Sequence, residues 1–153
     1  MQTGDPVADF ALPDQTGAVR RLSEFLEKGP VVLFFYPAAM TYGCTKESCH
    51  FRDLKADFDA VGATRIGISA DPVDKQLQFA DKHGFDYPLL SDVDRTVAEA
   101  FGVKRRSSLL KVKRSTFVIG TDSTLIAELH SEISMHSHAD KALEILKARQ
   151  PQG

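Results

Sequence analysis

The 153-residue chain has no long hydrophobic stretch. Its longest unbroken apolar run is Val31–Tyr36, far below the roughly 18 residues that would suggest a membrane span, so no membrane partner is expected. The opening MQTGDPVADF lacks the basic and apolar regions of a secretory signal, which leads us to expect a cytoplasmic protein. Neither charge sign dominates: 19 basic and 21 acidic residues leave a net charge of −2, which argues against a dedicated nucleic-acid binder. Cysteine is scarce. Cys44 and Cys49 are the only two, too few for a disulfide-built secreted scaffold. In a reducing compartment both default to thiols, so the pair is either inert core or redox chemistry. Repeats, low-complexity segments and linkers are also missing, and residues 1–153 read as a single domain. With 42% hydrophobic and 26% charged residues, the composition excludes disordered and fibrous classes.

What is present is an alternation of strand and helix signals. Residues 8–22 suggest a hairpin, with Phe10 and Leu12 ahead of an Asp14–Gly17 turn and Val19 and Leu22 after it. The unalternating Val31–Tyr36 run suits a central strand buried on both faces, ended by Pro37. Phe51, Leu54, Phe58 and Val61 recur at three- and four-residue steps, the stripe of one amphipathic helix closed by Gly62. A strand at Arg65–Ser69, a helix from Asp71 to His83, an extended Tyr87–Leu90 and a helix at Arg95–Phe101 follow. Thr116–Ile119 and Leu125–Leu129 read as a hairpin, and Ser137–Asp140 as a capping box before a last helix. This order predicts an α/β fold with a central mixed sheet flanked by helices. It is the element order of the thioredoxin fold with an N-terminal hairpin added.

Pro37 to Cys49 runs from the C-terminal end of the strongest strand into the first turn of the helix behind it. Ligands of open α/β sheets bind at that end of the strands. A cysteine in a helix's first turn faces unpaired N–H groups and the positive end of the helix dipole, which favours the nucleophilic thiolate. Cys44 is therefore placed to react.

Pro37-x-x-x-Thr41-x-x-Cys44 resembles the active-site motif of the peroxiredoxins, and a second cysteine five residues on, Cys49, resembles the peroxiredoxin Q (bacterioferritin comigratory protein) subfamily. The similarity extends along the chain through Gly4-Asp5, Asp9-Phe10, Leu12-Pro13-Asp14, Phe35-Tyr36-Pro37, Gly43–Glu47, Phe51-Arg52-Asp53, Gly67-Ile68-Ser69, Leu89–Asp92 and Arg114–Phe117. The resemblance implies a thiol-dependent peroxidase acting on hydrogen peroxide and organic hydroperoxides, with no cofactor or metal. By it, Cys44 is the attacking cysteine, Thr41 bonds the thiolate and peroxide, Pro37 shields the pocket and Arg114 is the active-site arginine. Cys49 then resolves the Cys44 sulfenic acid as an intramolecular disulfide. Thioredoxin or a similar thiol reductant is the implied partner, and the chain is expected to be a monomer or at most a weak homodimer. Peroxide cleavage builds charge on the leaving oxygen, and a fixed guanidinium aimed at it lowers the barrier. On an intact helix the two cysteines are separated by a rise of roughly 7.5 Å and a turn of about 140°, too far for a disulfide, and the helical wheel puts Cys49 opposite the Phe51–Leu54–Phe58 stripe. The helix must therefore unwind, and Thr45–Ser48, with no large apolar group, is expected to offer little resistance. One departure from the family is Tyr42 in place of the usual proline, which predicts a looser loop with the ring partly over the pocket.

Three blander readings compete. Both cysteines could be small buried hydrophobes. A zinc site could use Cys44, Cys49, His50 and a histidine from His136 or His138, but the spacing is loose. A redox sensor or holdase-like binding protein could use the same cysteines without turnover. His130, His136 and His138 are expected at the surface or in caps, and Asp9 and Asp14 in turns. The basic run Lys104–Arg114 is expected to be a solvated loop, with Arg114 set apart by the strand that follows it.

Overall fold

The computed structural model describes residues 1–105, 112–130 and 137–149. The hairpin strands β1 (Ala11–Pro13) and β2 (Val19–Arg21) pair antiparallel. After α1 (Leu22–Leu26) come β3 (Val31–Phe35), α2 (Tyr42–Asp53), α3 (Lys55–Ala60), β4 (Thr64–Ser69), α4 (Val73–His83), β5 (Leu89–Ser91) and α5 (Thr96–Ala100). The chain closes with β6 (Ser115–Ile119), β7 (Leu125–His130) and α6 (Ser137–Arg149). The main sheet runs β5-β4-β3-β6-β7, with β3, β4 and β5 parallel and β6 and β7 antiparallel to their neighbours.

β3 is central because it is apolar on both faces. Val31, Leu33 and Phe35 face a core shared with the hairpin, α1 and α5. Val32, Phe34 and Tyr36 face a second core shared with α2, α3, α4 and α6. Alternate side chains of a strand point to opposite faces, so an unbroken apolar run fits only between two layers. Gly67 in β4 has no room for a side chain, since a Cβ there would meet Leu89 Cδ2 at 2.8 Å and Phe34 Cζ at 3.0 Å. No helix among the described residues is long and apolar enough to cross a membrane.

Two of the elements differ from the sequence reading in extent or kind. Leu22 opens α1 instead of extending the hairpin. Leu22, Phe25 and Leu26 are buried at helical spacing, and Asp9 accepts hydrogen bonds from the Ser23 amide (2.9 Å) and hydroxyl (3.0 Å). The expected single helix to Gly62 is two, broken at Leu54 (φ −92°, ψ 19°). The cause is tertiary: Arg65 Nη1 donates to the Phe51 carbonyl at 2.8 Å, occupying the acceptor that a continuing helix would offer to Lys55. The apolar stripe survives the break, and Phe58 remains fully buried. Ser137 is the first helical residue of α6. His136 and residues 106–111 of the basic run lie outside the described residues.

An aromatic stack fastens α2 to the sheet. Phe51 lies parallel to Phe34 with centroids 4.1 Å apart, and Phe58 continues the stack at 5.9 Å. Phe51→Ala should lower unfolding stability by about 3–5 kcal/mol, the range for a truncated buried phenylalanine, measured by urea denaturation.

Candidate active site

The chain leaves β3 at Phe35, and residues 37–41 turn it into α2. This turn is pinned from below. The Asp71 carboxylate accepts from the Ala39 amide (2.7 Å) and the Ser69 hydroxyl (2.7 Å). Gln76 donates to Ser69 Oγ (2.9 Å) and to the Leu90 carbonyl (2.8 Å), and its Oε1 accepts from the Tyr36 hydroxyl (2.5 Å). Met40 occupies the left-handed region at φ 70°, which a non-glycine residue holds only where its surroundings enforce it.

Cys44 is the third residue of α2 and only 1% exposed. Arg114, just ahead of β6, is buried beside it: its Nη2 donates to Cys44 Sγ at 3.2 Å and its Nη1 to Glu47 Oε1 at 2.9 Å. Strand register places the arginine there. Ser115 pairs with Phe35, so the residue before β6 lies across from the end of β3. Burial opposes the charge on Arg114, but Glu47 and Cys44 outweigh it and hold the guanidinium more firmly protonated than usual. Glu47 is fully buried. Burial pushes its carboxyl up to about 7, while Arg114 pulls the other way. A cavity of about 440 Å³ between Pro30, Val61, Gly120 and Leu146 lies at the other end of β3 and is lined by neither cysteine.

The other expected site residues are placed less simply. Pro37 is half-buried at the start of the turn. The Thr41 hydroxyl is exposed and donates to the Ala38 carbonyl at 2.8 Å. Cys49 is a free thiol, as is Cys44, and both sit on one unbroken α2. Burial pushes the Cys49 thiol up, with Arg52 acting against that and Asp53 with it. The expectation that Cys49 stands opposite the apolar stripe needs correcting, because it packs partly against the same core. The Thr45–Ser48 segment is also better held than its composition suggests. Glu47 and Ser48 are buried, and the Tyr87 hydroxyl donates to the Ser48 carbonyl at 2.6 Å. Tyr42 is 84% exposed, so its ring does not cover the pocket.

Two residues of this environment received no role from the sequence. Glu47 lay inside the quoted motif, three residues after Cys44, a spacing that puts both on one helix face. His138, expected at the surface or in a cap, is 1% exposed. Its Nδ1 lies 2.7 Å from Thr116 Oγ1 and 3.9 Å from Glu47 Oε2. No sequence signal singles it out beyond its place near the start of the last helix. His130 does sit at the surface, with Nδ1 on Ser115 Oγ (2.8 Å) and Nε2 on Glu128 (2.8 Å). His50 Nε2 lies 2.7 Å from Asp140 Oδ1. These pairings take the candidate zinc ligands in different directions. Asp14 holds the Thr16 amide at 2.8 Å, a turn role as expected.

A thioredoxin-type sheet with a buried cysteine at a helix start, bonded by an arginine from the facing strand, defines a thiol-based redox protein. Residues 3–128 match the AhpC/TSA family. The chain belongs to that family and, within it, to the Bcp/PrxQ peroxiredoxins, which are thiol peroxidases. It is 36% identical to peroxiredoxin Bcp of Bacillus subtilis over 152 residues, 96% of each chain. The crystal structure of peroxidoxin BcpB from Mycobacterium tuberculosis superposes with a TM-score of 0.95 at 62% identity, over 99% of each chain. A structure of the Xanthomonas campestris bacterioferritin comigratory protein, solved to explain its alkyl peroxide reduction, gives a TM-score of 0.83 at 31% identity, over 91% of this chain and 90% of that one.

Tyr42 offers a direct test of the helix start. It is the first residue of α2, where the amide has no intrahelical acceptor and proline is tolerated. Thr41, at φ −82° and ψ 158°, already holds the conformation that proline imposes on its predecessor. Tyr42→Pro should therefore raise stability by about 0.4–1 kcal/mol, read as a higher midpoint in urea unfolding.

Proposed function

We propose that Cys44 is the peroxidatic residue of this chain and Cys49 its resolving partner, with hydrogen peroxide and alkyl hydroperoxides as substrates. The observation that carries the reading is the 3.2 Å contact from Arg114 to the Cys44 sulfur inside a buried site. Such a donor bonds a thiolate more strongly than a thiol. The thiolate attacks one peroxide oxygen, an S–O bond forms and the O–O bond breaks. Sulfur loses two electrons, the peroxide gains them, and the departing oxygen takes a proton to leave as water or alcohol. The guanidinium stabilises charge developing on the departing oxygen. Thr41 turns its hydroxyl from Ala38 to the peroxide, and Pro37 walls the pocket.

The Cys44 sulfenic acid then condenses with the Cys49 thiol, forming the S–S bond and releasing water. Part of α2 unwinds for this step, breaking the Tyr87–Ser48 and Glu47–Arg114 contacts. Thioredoxin, or a thiol reductant like it, reduces the disulfide by two electrons and returns both thiols. Support for alkyl hydroperoxides comes from the activity named for the Xanthomonas campestris relative. The protein is proposed to work as a monomer, at most a weak homodimer, in the cytoplasm.

A coupled assay with thioredoxin, thioredoxin reductase and NADPH tests the reading. Sustained NADPH consumption is expected on adding peroxide, whereas a single stoichiometric oxidation would indicate a sensor or holdase-like protein. Cys44→Ser should abolish turnover, since a serine hydroxyl is a poor nucleophile at neutral pH. Cys49→Ser should accumulate sulfenic and then sulfinic acid on Cys44, seen by mass spectrometry. A dominant intermolecular disulfide in the parent protein would remove Cys49 from its role.

Arg114→Met should slow the single-turnover reaction of Cys44 with peroxide by about 10²-fold or more, the scale for losing an oxyanion donor. An unchanged rate would remove Arg114 from the site.

A further inference from the structure

Among the described residues, the buried site sets two potential anions against one permanent cation. Cys44 and Glu47 both bond the one guanidinium of Arg114. With Cys44 as thiolate and Glu47 as carboxylate, two negative charges would face a single positive one away from water. A buried charge without a partner is far more costly than a shared proton. Glu47 is also half-satisfied. Arg114 occupies its Oε1, whereas Oε2 makes no hydrogen bond among the described residues and faces His138 Nδ1 at 3.9 Å. His138, brought in by α6, is as buried as the sulfur, and its Nδ1 also bonds Thr116 Oγ1 at 2.7 Å.

We propose that Glu47 and His138 form a buried proton-holding pair, which keeps one proton while Cys44 is a thiolate and gives it up when the sulfur is oxidised. The pair acts on Cys44 through Arg114 and does not touch peroxide, so both members are positioning residues. Retaining the proton keeps the site neutral overall and leaves Arg114 committed to the sulfur. The burial that raises Glu47 to about 7, against the pull of Arg114, is consistent with such a proton at neutral pH.

The proton balance follows. In the resting state Cys44 is S⁻, Arg114 is positive and the pair carries one proton. Attack turns S⁻ into S–OH and releases the departing oxygen as an anion, which needs one proton. Once the thiolate charge is gone, Glu47 is the one acidic group among the described residues left to bond Arg114, and the pair loses its proton to solvent. That release offsets the proton taken by the leaving oxygen, so oxidation draws no net proton from solvent. Among the described residues, the groups facing the pair include Arg114 from the segment before β6, Cys44 on α2 and Thr116 on β6. Glu128, His130 and Lys141 line a cavity of about 240 Å³ that His138 also borders. Tyr36, at the end of β3, is held neutral chiefly by burial, with Cys44 acting in the same direction.

The inference rests on Cys44 being the attacking group and is tested by counting protons. Cys49→Ser protein is oxidised with one equivalent of hydrogen peroxide in weakly buffered solution containing a pH indicator. The pH is chosen so that the ultraviolet thiolate band shows Cys44 to be ionised. Net uptake well below one proton per sulfur oxidised is expected. Glu47→Gln or His138→Asn in that background, again starting from the thiolate, should bring uptake towards one. A full proton taken up by the parent, or counts unchanged in both variants, would overturn the pair. A count that moves only with Glu47→Gln would overturn the part assigned to His138. Failure of the underlying reading would look different: Cys44 would remain unmodified by peroxide in mass spectrometry.

Discussion

The buried guanidinium of Arg114 is the point on which the site depends. It bonds both the Cys44 sulfur and the Glu47 carboxylate and so ties the helix after β3 to the strand beside it. Neither bond could form without the antiparallel register of β3 and β6, which sets Ser115 opposite Phe35. That register in turn requires β3 to be buried on both faces, with six consecutive apolar side chains divided between two cores. A substitution that slipped β6 by one residue would turn its side chains to the opposite faces. The chemistry is thus anchored in sheet packing, even though its reactive atom sits on a helix.

Much of this was legible in the sequence. An unalternating, β-branched and aromatic run suits an inner strand, and the turn from Pro37 to Cys44 had to begin where it ended. The helix-stop glycines were also readable: Gly84 closes α4 at φ 63°. Arg114 could be separated from its basic neighbours because a strand follows it directly. The short α1 carried a readable signal too, since Leu22, Phe25 and Leu26 stand at helical spacing, but three residues are few against a nearby turn.

What could not be read came from contacts between distant segments. Composition makes Thr45–Ser48 look loosely held, because polar side chains usually face water. Here Glu47 is bonded by a residue 67 positions away, and Ser48 is held by Tyr87 through its carbonyl. His138 was indistinguishable from a surface cap, because nothing in a linear chain shows that α6 carries it to the back of Glu47. The position of Cys49 suffered from the same limit. A wheel drawn on one helix leaves out the neighbours that cover its second face.

The contact of Arg65 with the Phe51 carbonyl divides the region mechanically as well as geometrically. Arg65 is itself braced by Asp86, through bonds of 3.2 and 2.5 Å, and lies over the Tyr87 ring at 5.1 Å. It therefore belongs to the rigid sheet and not to the helix it holds. Before Phe51, α2 is held by polar contacts, among them the Arg114–Glu47 and Arg114–Cys44 bonds that a change in charge can release. Everything from Phe51 on is fastened by stacked rings that are indifferent to the redox state of sulfur. Opening of the first part can then stop at a fixed boundary, and the protein can lose about two and a half turns of helix without exposing the aromatic core that would make it aggregate.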